Sequence, residues 1–82
     1  MQVRVLYFAA ARDAAGRKEE ALELPEGATL QTLLDELTRL HPEIGRLRPA
    51  LRVAVDESYQ AVEYVLRGGE EVALIPPVAG GS

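Results

Sequence analysis

Five leucines constrain this chain more than any other feature. Leu30, Leu33, Leu34, Leu37 and Leu40 recur at i, i+3, i+4, i+7 and i+10. That spacing puts apolar groups along one side of an α-helix, and such a stripe must be buried against something. Thr29 stands just ahead of it, where a hydroxyl can accept a hydrogen bond from an orphan N–H of the first turn. His41-Pro42 ends it, because the residue before a proline avoids the helical region. Asp35, Glu36 and Arg39 fall away from the stripe.

The surrounding segments read as strands for the helix to lie on. Val3-Arg4-Val5-Leu6-Tyr7-Phe8 is β-branched and aromatic. Val3, Val5 and Tyr7 share one face; Arg4, Leu6 and Phe8 share the other. Both faces are largely apolar, which predicts a strand inside the sheet. Ala9 to Ala15 suits a short helical turn ended by Gly16 in a left-handed conformation. Lys18 to Leu24 reads as a second strand closed by the turn Pro25-Glu26-Gly27. Pro42 to Pro49 is a polar connection holding Ile44 and Leu47, with room for one helical turn. Leu51 to Val55 is a third strand, Asp56-Glu57-Ser58 a turn, and Tyr59 to Val62 a short further strand. Gly68-Gly69 turns the chain into a last strand, Val72 to Ile75.

The order is β, β, α, then two or three β. One amphipathic helix on one face of one sheet is an α+β arrangement. The first and last strands are the most apolar and are expected to pair in the middle, which gives the β-grasp, or ubiquitin-like, mixed sheet. A ferredoxin-like order needs a second full helix, and Glu57 to Gly69 carries no helical stripe. Residues 1–75 therefore read as the folded domain and 76–82 as a C-terminal tail.

Composition narrows the function. Eighty-two residues make one small domain. A net charge of −4 argues against nucleic acid, because phosphate binding needs a positive stripe. Without cysteine there is no disulfide, thiolate metal site or thiol nucleophile. No apolar run approaches the roughly 20 residues of a membrane span. The chain opens directly on a strand pattern, so the cytoplasm is the expected location.

The tail carries the chemical signal. Pro76 and Pro77 cannot donate to a sheet ladder and favour an extended path away from it. Pro76 to Gly81 could reach roughly 20 Å at about 3.3 Å per residue. Gly80 and Gly81 lack a Cβ, so they can enter a channel closed to other residues. A carboxylate at such a tip can be activated by an ATP-using enzyme and then attacked by a sulfur source.

The ending Gly69-Glu70-Glu71-Val72-Ala73-Leu74-Ile75-Pro76-Pro77-Val78-Ala79-Gly80-Gly81 resembles that of the small subunits of molybdopterin synthase, the MoaD-type ubiquitin-like sulfur carriers. Val5-Leu6-Tyr7-Phe8-Ala9 with Arg12-Asp13 and Gly16, and Ala54-Val55-Asp56, are similar to further family segments. The resemblance implies that a ubiquitin-activating-type enzyme adenylates Gly81 with ATP and that a sulfurtransferase step converts it to a thiocarboxylate. It further implies that the tail enters the large synthase subunit, in a heterotetramer, and gives sulfur to cyclic pyranopterin monophosphate. No bound cofactor or metal is implied. Positions matching Phe8, Tyr59 and Ile75 lie at partner interfaces in the family, and Pro76, Pro77 and Val78 continue that surface into the tail.

One residue departs from the pattern. The family ends at the second glycine, and here Ser82 follows, which ties the Gly81 carbonyl into an amide. Three readings stay open: an expression remnant, a residue trimmed before activation, or a chain not competent as written. Two other functions compete: a sulfur carrier for thiamin or tRNA thiolation, and a β-grasp interaction module without covalent chemistry. His41, the single histidine, reads as a helix-end residue. The neighbouring acids Glu19-Glu20, Asp56-Glu57 and Glu70-Glu71 point to opposite sides of the chain and form no acid–base pair, so a solvated or partner-facing edge is expected for them.

Overall fold

The computed structural model describes residues 1–77. In chain order they form β1 (Gln2–Tyr7), α1 (Ala9–Ala15), β2 (Glu19–Glu23), α2 (Leu30–Leu40), α3 (Pro42–Leu47), a 3-10 turn (Arg48–Ala50), β3 (Arg52–Val55), β4 (Ser58–Tyr59) and β5 (Glu71–Ile75). The strands make one sheet in the order β2-β1-β5-β3-β4. β1 and β5 run parallel, with Arg4 opposite Glu71 and Tyr7 opposite Leu74. The other neighbours, β1 with β2, β5 with β3 and β3 with β4, are antiparallel. This is the β-grasp sheet expected from the strand pattern.

Alternation along each strand sends one set of side chains into the core. Val3, Val5 and Tyr7 from β1, Val53 and Val55 from β3, and Val72 and Leu74 from β5 are buried together with Leu30, Leu33, Leu34 and Leu37 from α2. Leu40 does not join them and is 41% exposed. It is the last residue of α2, at the helix end next to the His41 cap. Ile44, fully buried on α3, belongs to the same core. The expected polar connection is thus a two-turn insert, α3 plus the 3-10 turn, docked by Ile44 with Leu47 packed against the same core.

Unmatched backbone groups explain the loops. At the start of α2, the Thr29 N–H donates to the Thr32 hydroxyl at 3.2 Å and the Thr32 N–H to the Thr29 hydroxyl at 3.3 Å. The Leu30 and Gln31 N–H groups donate to the carbonyls of Tyr64 and Val62, each at 3.0 Å. A helix start needs acceptors for these groups, and this loop supplies them. The same bonds draw the chain off the sheet. β4 therefore spans only Ser58 and Tyr59, where a strand reaching Val62 was expected. The hairpin from β3 to β4 turns on Asp56 and Glu57, both with positive φ (47° and 73°), as a tight two-residue hairpin requires. Gly68 and Gly69 also have positive φ. Their turn is held by the buried Glu70 carboxylate, which accepts from the Arg67 and Gly68 N–H groups at 2.8 and 2.7 Å. Glu70 is thus a turn anchor inside the fold and not the solvated or partner-facing acid its sequence context suggested.

A second carboxylate is also drawn inward. Glu20 on β2 accepts hydrogen bonds at one oxygen from the Tyr7 hydroxyl and from His41 Nε2, both at 2.6 Å. The carboxylate can only accept, so the His41 nitrogen is the donor. The Tyr7 and His41 rings meet edge to face, 6.0 Å between centroids. Arg17 lies 3.5 Å from the other Glu20 oxygen. His41, at the α2–α3 junction, is therefore a cross-link between helix and sheet. Burial works to raise the Glu20 pKa, but the bonds from Tyr7 and His41 outweigh it and hold this carboxyl below the usual range. Burial first, and then the bond to Glu20, push the Tyr7 hydroxyl far above its ordinary value.

Two predictions follow from this packing. A Cβ on Gly45 would lie 2.8 Å from Thr38 Cγ2, and Thr38 is fixed by its own bond to the Leu34 carbonyl. Gly45→Ala should cost about 1–3 kcal/mol in urea unfolding, and adding Thr38→Ser should recover most of it; equal losses in both variants would refute the contact. The folded Glu20 carboxyl titrates below its unfolded value, so the stability it contributes is present above about pH 4.3 and is lost as pH falls through the lower folded value. Tyr7 acts at the other end, its contribution holding below about pH 10 and fading above. Glu20→Gln should therefore be less stable than wild type by about 1 kcal/mol near neutrality, with the gap closing as pH falls into the acid range. A gap that does not change with pH would contradict the assignment.

Candidate functional site

The site lies on the sheet face turned away from the helices and at the end of β5. Cross-strand partners share a face, so the registers define a row running Glu19, Leu6, Ala73, Ala54 and Tyr59 across all five strands. The next row toward the end of β5 holds Ile75 opposite Arg52. Phe8 follows β1 in an extended conformation (φ −119°, ψ 145°), which continues the alternation from Leu6 and brings it beside Ile75.

Phe8 is 43% exposed and Tyr59 60% exposed, while Leu6, Ala73 and Ile75 are half-buried. Ala54 is buried yet stands apart from the core cluster, consistent with its place in this row. Grouped apolar exposure of this kind on a small domain marks a surface for another molecule. Charged residues frame it. Arg4 and Glu19 pair at 2.5 Å at one side. At the other, the Arg52 guanidinium lies over the Tyr59 ring, 4.8 Å from its centroid. Such stacking is worth roughly 0.5–1 kcal/mol at an exposed position.

The turn out of β1 is sharp because Ala9 adopts φ 49°, a left-handed conformation that costs a residue with a Cβ roughly 1–2 kcal/mol. It starts α1 immediately after Phe8 and leaves that ring at the sheet end. β5 stops one residue before Pro76, which is half-buried, and Pro77 is exposed. Of the site residues expected from sequence, Phe8, Ile75, Pro76 and Pro77 come together at this end. Tyr59 lies two strands from β5, about 10 Å away at the usual strand spacing. Val78, Gly80 and Gly81 lie outside the described residues.

Arg52 is a member of this surface that the strand pattern alone did not single out. Its place on the outer face was readable from the alternation of Leu51 to Val55, but its position opposite Ile75 depends on the β3–β5 register. Glu20, Tyr7 and His41 lie on the core side and take no part in the surface. Among the described residues no group of three or more histidine, cysteine or acidic side chains could hold a metal, and no helix is long and apolar enough to cross a membrane.

Comparison with known proteins agrees with this geometry. Residues 5–81 match the ThiS family. The chain is 37% identical to a molybdopterin synthase sulfur carrier subunit from Chlamydomonas reinhardtii, covering 99% of this chain and 100% of that one. A solved structure described as a putative molybdopterin converting factor, subunit 1, from Pyrococcus furiosus superposes with a TM-score of 0.87 at 32% identity, covering 95% of this chain and 99% of that one. The fold also recurs, at 20% identity and a TM-score of 0.74, in a complex of subunits 1 and 2 of molybdopterin-converting factor from Helicobacter pylori, with 99% of this chain and 100% of that one covered. With matches that run the length of both chains and a family signature extending from β1 into the tail, this chain belongs to the ThiS family.

Proposed function

We propose that this chain is the sulfur carrier subunit of a molybdopterin synthase. In this reading a ubiquitin-activating-type enzyme uses ATP to adenylate the Gly81 carboxylate, a sulfurtransferase step converts it to a thiocarboxylate, and the tail donates the sulfur to cyclic pyranopterin monophosphate. The domain supplies no catalytic side chain. It acts in the cytoplasm as the carrier and sulfur-donating half of a complex, and the large subunit, two copies in a heterotetramer, supplies the pterin site. Phe8, Ile75 and Tyr59 dock on the partner, while Pro76, Pro77 and Val78 lead Gly80 and Gly81 into it. The domain itself binds no cofactor.

The observation that carries this reading is the exit of Pro76-Pro77 from the end of a central strand, beside exposed Phe8 and half-buried Ile75. A chain end that leaves a central strand at the margin of a docking face is delivered in a defined direction when that face is covered. A partner that buries Phe8 and Ile75 thereby receives the tail.

The test is intact mass after incubation with the activating enzyme, ATP and a sulfur source, on one chain ending at Gly81 and one ending at Ser82. The Gly81 form should gain the mass difference between sulfur and oxygen. The Ser82 form should do so only after losing its serine. No change in the Gly81 form, under conditions that modify a known carrier, would leave a non-covalent module. Sulfur delivered to a thiazole or a tRNA in place of the pterin would point to the related carrier pathways.

A further inference from the structure

A cleft opens at the β3 edge of the sheet. Its origin is the competition for backbone acceptors at the start of α2. The β3–β4 ladder continues as far as the Gln60 N–H, which donates to the Val53 carbonyl at 3.0 Å. Beyond it, Gln31 and Leu30 capture the carbonyls of Val62 and Tyr64. The chain is thereby pulled from β3 toward α2, and a space of about 650 Å³ is left between them. Leu34 and Val53 line it on the apolar side, Gln31 and Gln60 supply amides, and Arg48 and Arg52 supply positive charge.

The two arginines differ. Arg48 is paired with Asp35 at 2.7 Å. Arg52 has no carboxylate partner among the described residues; its guanidinium rests on Tyr59, which also borders the cleft. A planar cation stacked on a ring keeps its outer N–H groups directed at whatever lies alongside, and these groups match a carboxylate. Arg52 also stands opposite Ile75, at the root of the tail. A protein that receives the tail must pass over it. The surplus positive charge sits on a chain whose net charge is −4, so it is local and not part of a general basic surface.

We infer that the cleft seats an acidic segment of the synthase large subunit, with a carboxylate on Arg52 and apolar contact on Tyr59 and Val62. This rests on the function proposed above and adds to it a charged contact at the tail root. An exposed charge at the edge of an interface acts mainly on the rate of encounter and its salt dependence, and less on dissociation.

The experiment measures association and dissociation rates of the purified large subunit with wild type, Arg52→Gln, Arg52→Glu and the control Arg67→Glu, at two salt concentrations. Arg67 lies at the opposite end of β5 from Ile75. Thermal melts check that each variant is folded. Arg52→Gln should slow association a few-fold and Arg52→Glu about tenfold at low salt, with a flatter salt dependence and little change in dissociation. Arg67→Glu should behave as wild type. Unchanged association in Arg52→Glu would overturn the inference, as would an effect confined to faster dissociation, which would make Arg52 only a support for Tyr59. Failure of the wild-type chain itself to bind the large subunit would overturn the carrier reading and this inference together.

Discussion

The parallel pairing of β1 with β5 is the constraint on which the rest depends. It joins the beginning of the domain to its last strand and puts both in the interior of the sheet. Neither strand can shift by one residue, because a slip would send Ala73 and Ile75 into the core in place of Val72 and Leu74. Polar contacts pin the start of β5 as well. The Arg4 N–H donates to the Glu70 carbonyl at 3.0 Å, and Asp56 exchanges two hydrogen bonds with the Glu71 backbone at 2.9 and 3.0 Å. With one end of β5 fixed, the positions of Ile75 and of the Pro76 that follows it are set.

The helical layer answers to a different demand. A helix start carries N–H groups that water or protein must satisfy, and here the loop after β4 does so. The consequence reaches the opposite side of the sheet: β4 is cut short, the β3 edge opens, and Tyr59 is left stacked under Arg52, which stands opposite Ile75 at the tail root. The Glu20 clasp to Tyr7 and His41 fixes the far end of α2 to the β1–β2 pair. The two ends of one helix are thus tied to the two margins of one sheet. The outer face, which no helix covers, is free to carry an apolar surface. A carrier that must dock and release benefits from having its rigid contacts on one side and its interaction surface on the other.

Much of the fold could be read from pattern. The period of the α2 leucines, the apolar first and last strands and the left-handed Gly16 are local signals, and each of these elements formed where its residues predicted. The face shared by Leu6, Phe8, Ala73 and Ile75 was readable too, because strand alternation is a two-residue rule. The misses have a common cause. Leu40 is the exception, exposed because it ends the helix. β4 stopped early because the carbonyls of Val62 and Tyr64, in the loop after it, bond the start of a helix more than thirty residues earlier in the chain. Glu20 and Glu70, whose neighbours point to a solvated or partner-facing edge, are anchors inside the fold, and His41 has its partner twenty-one residues away. None of these pairings leaves a trace in local composition.

By itself the amino-acid order determined the periodicities, the breaks at proline and glycine, and a tail of small residues with two glycines near its tip, since these are properties of neighbouring residues. Only the tertiary structure decided which polar groups satisfy one another and where Arg52, Tyr59, Phe8 and Ile75 stand around the exit of that tail. The reason is physical. Side-chain direction follows from the local backbone, whereas the identity of a partner across the sheet depends on register, and register is settled by the burial and hydrogen bonding of the whole domain at once.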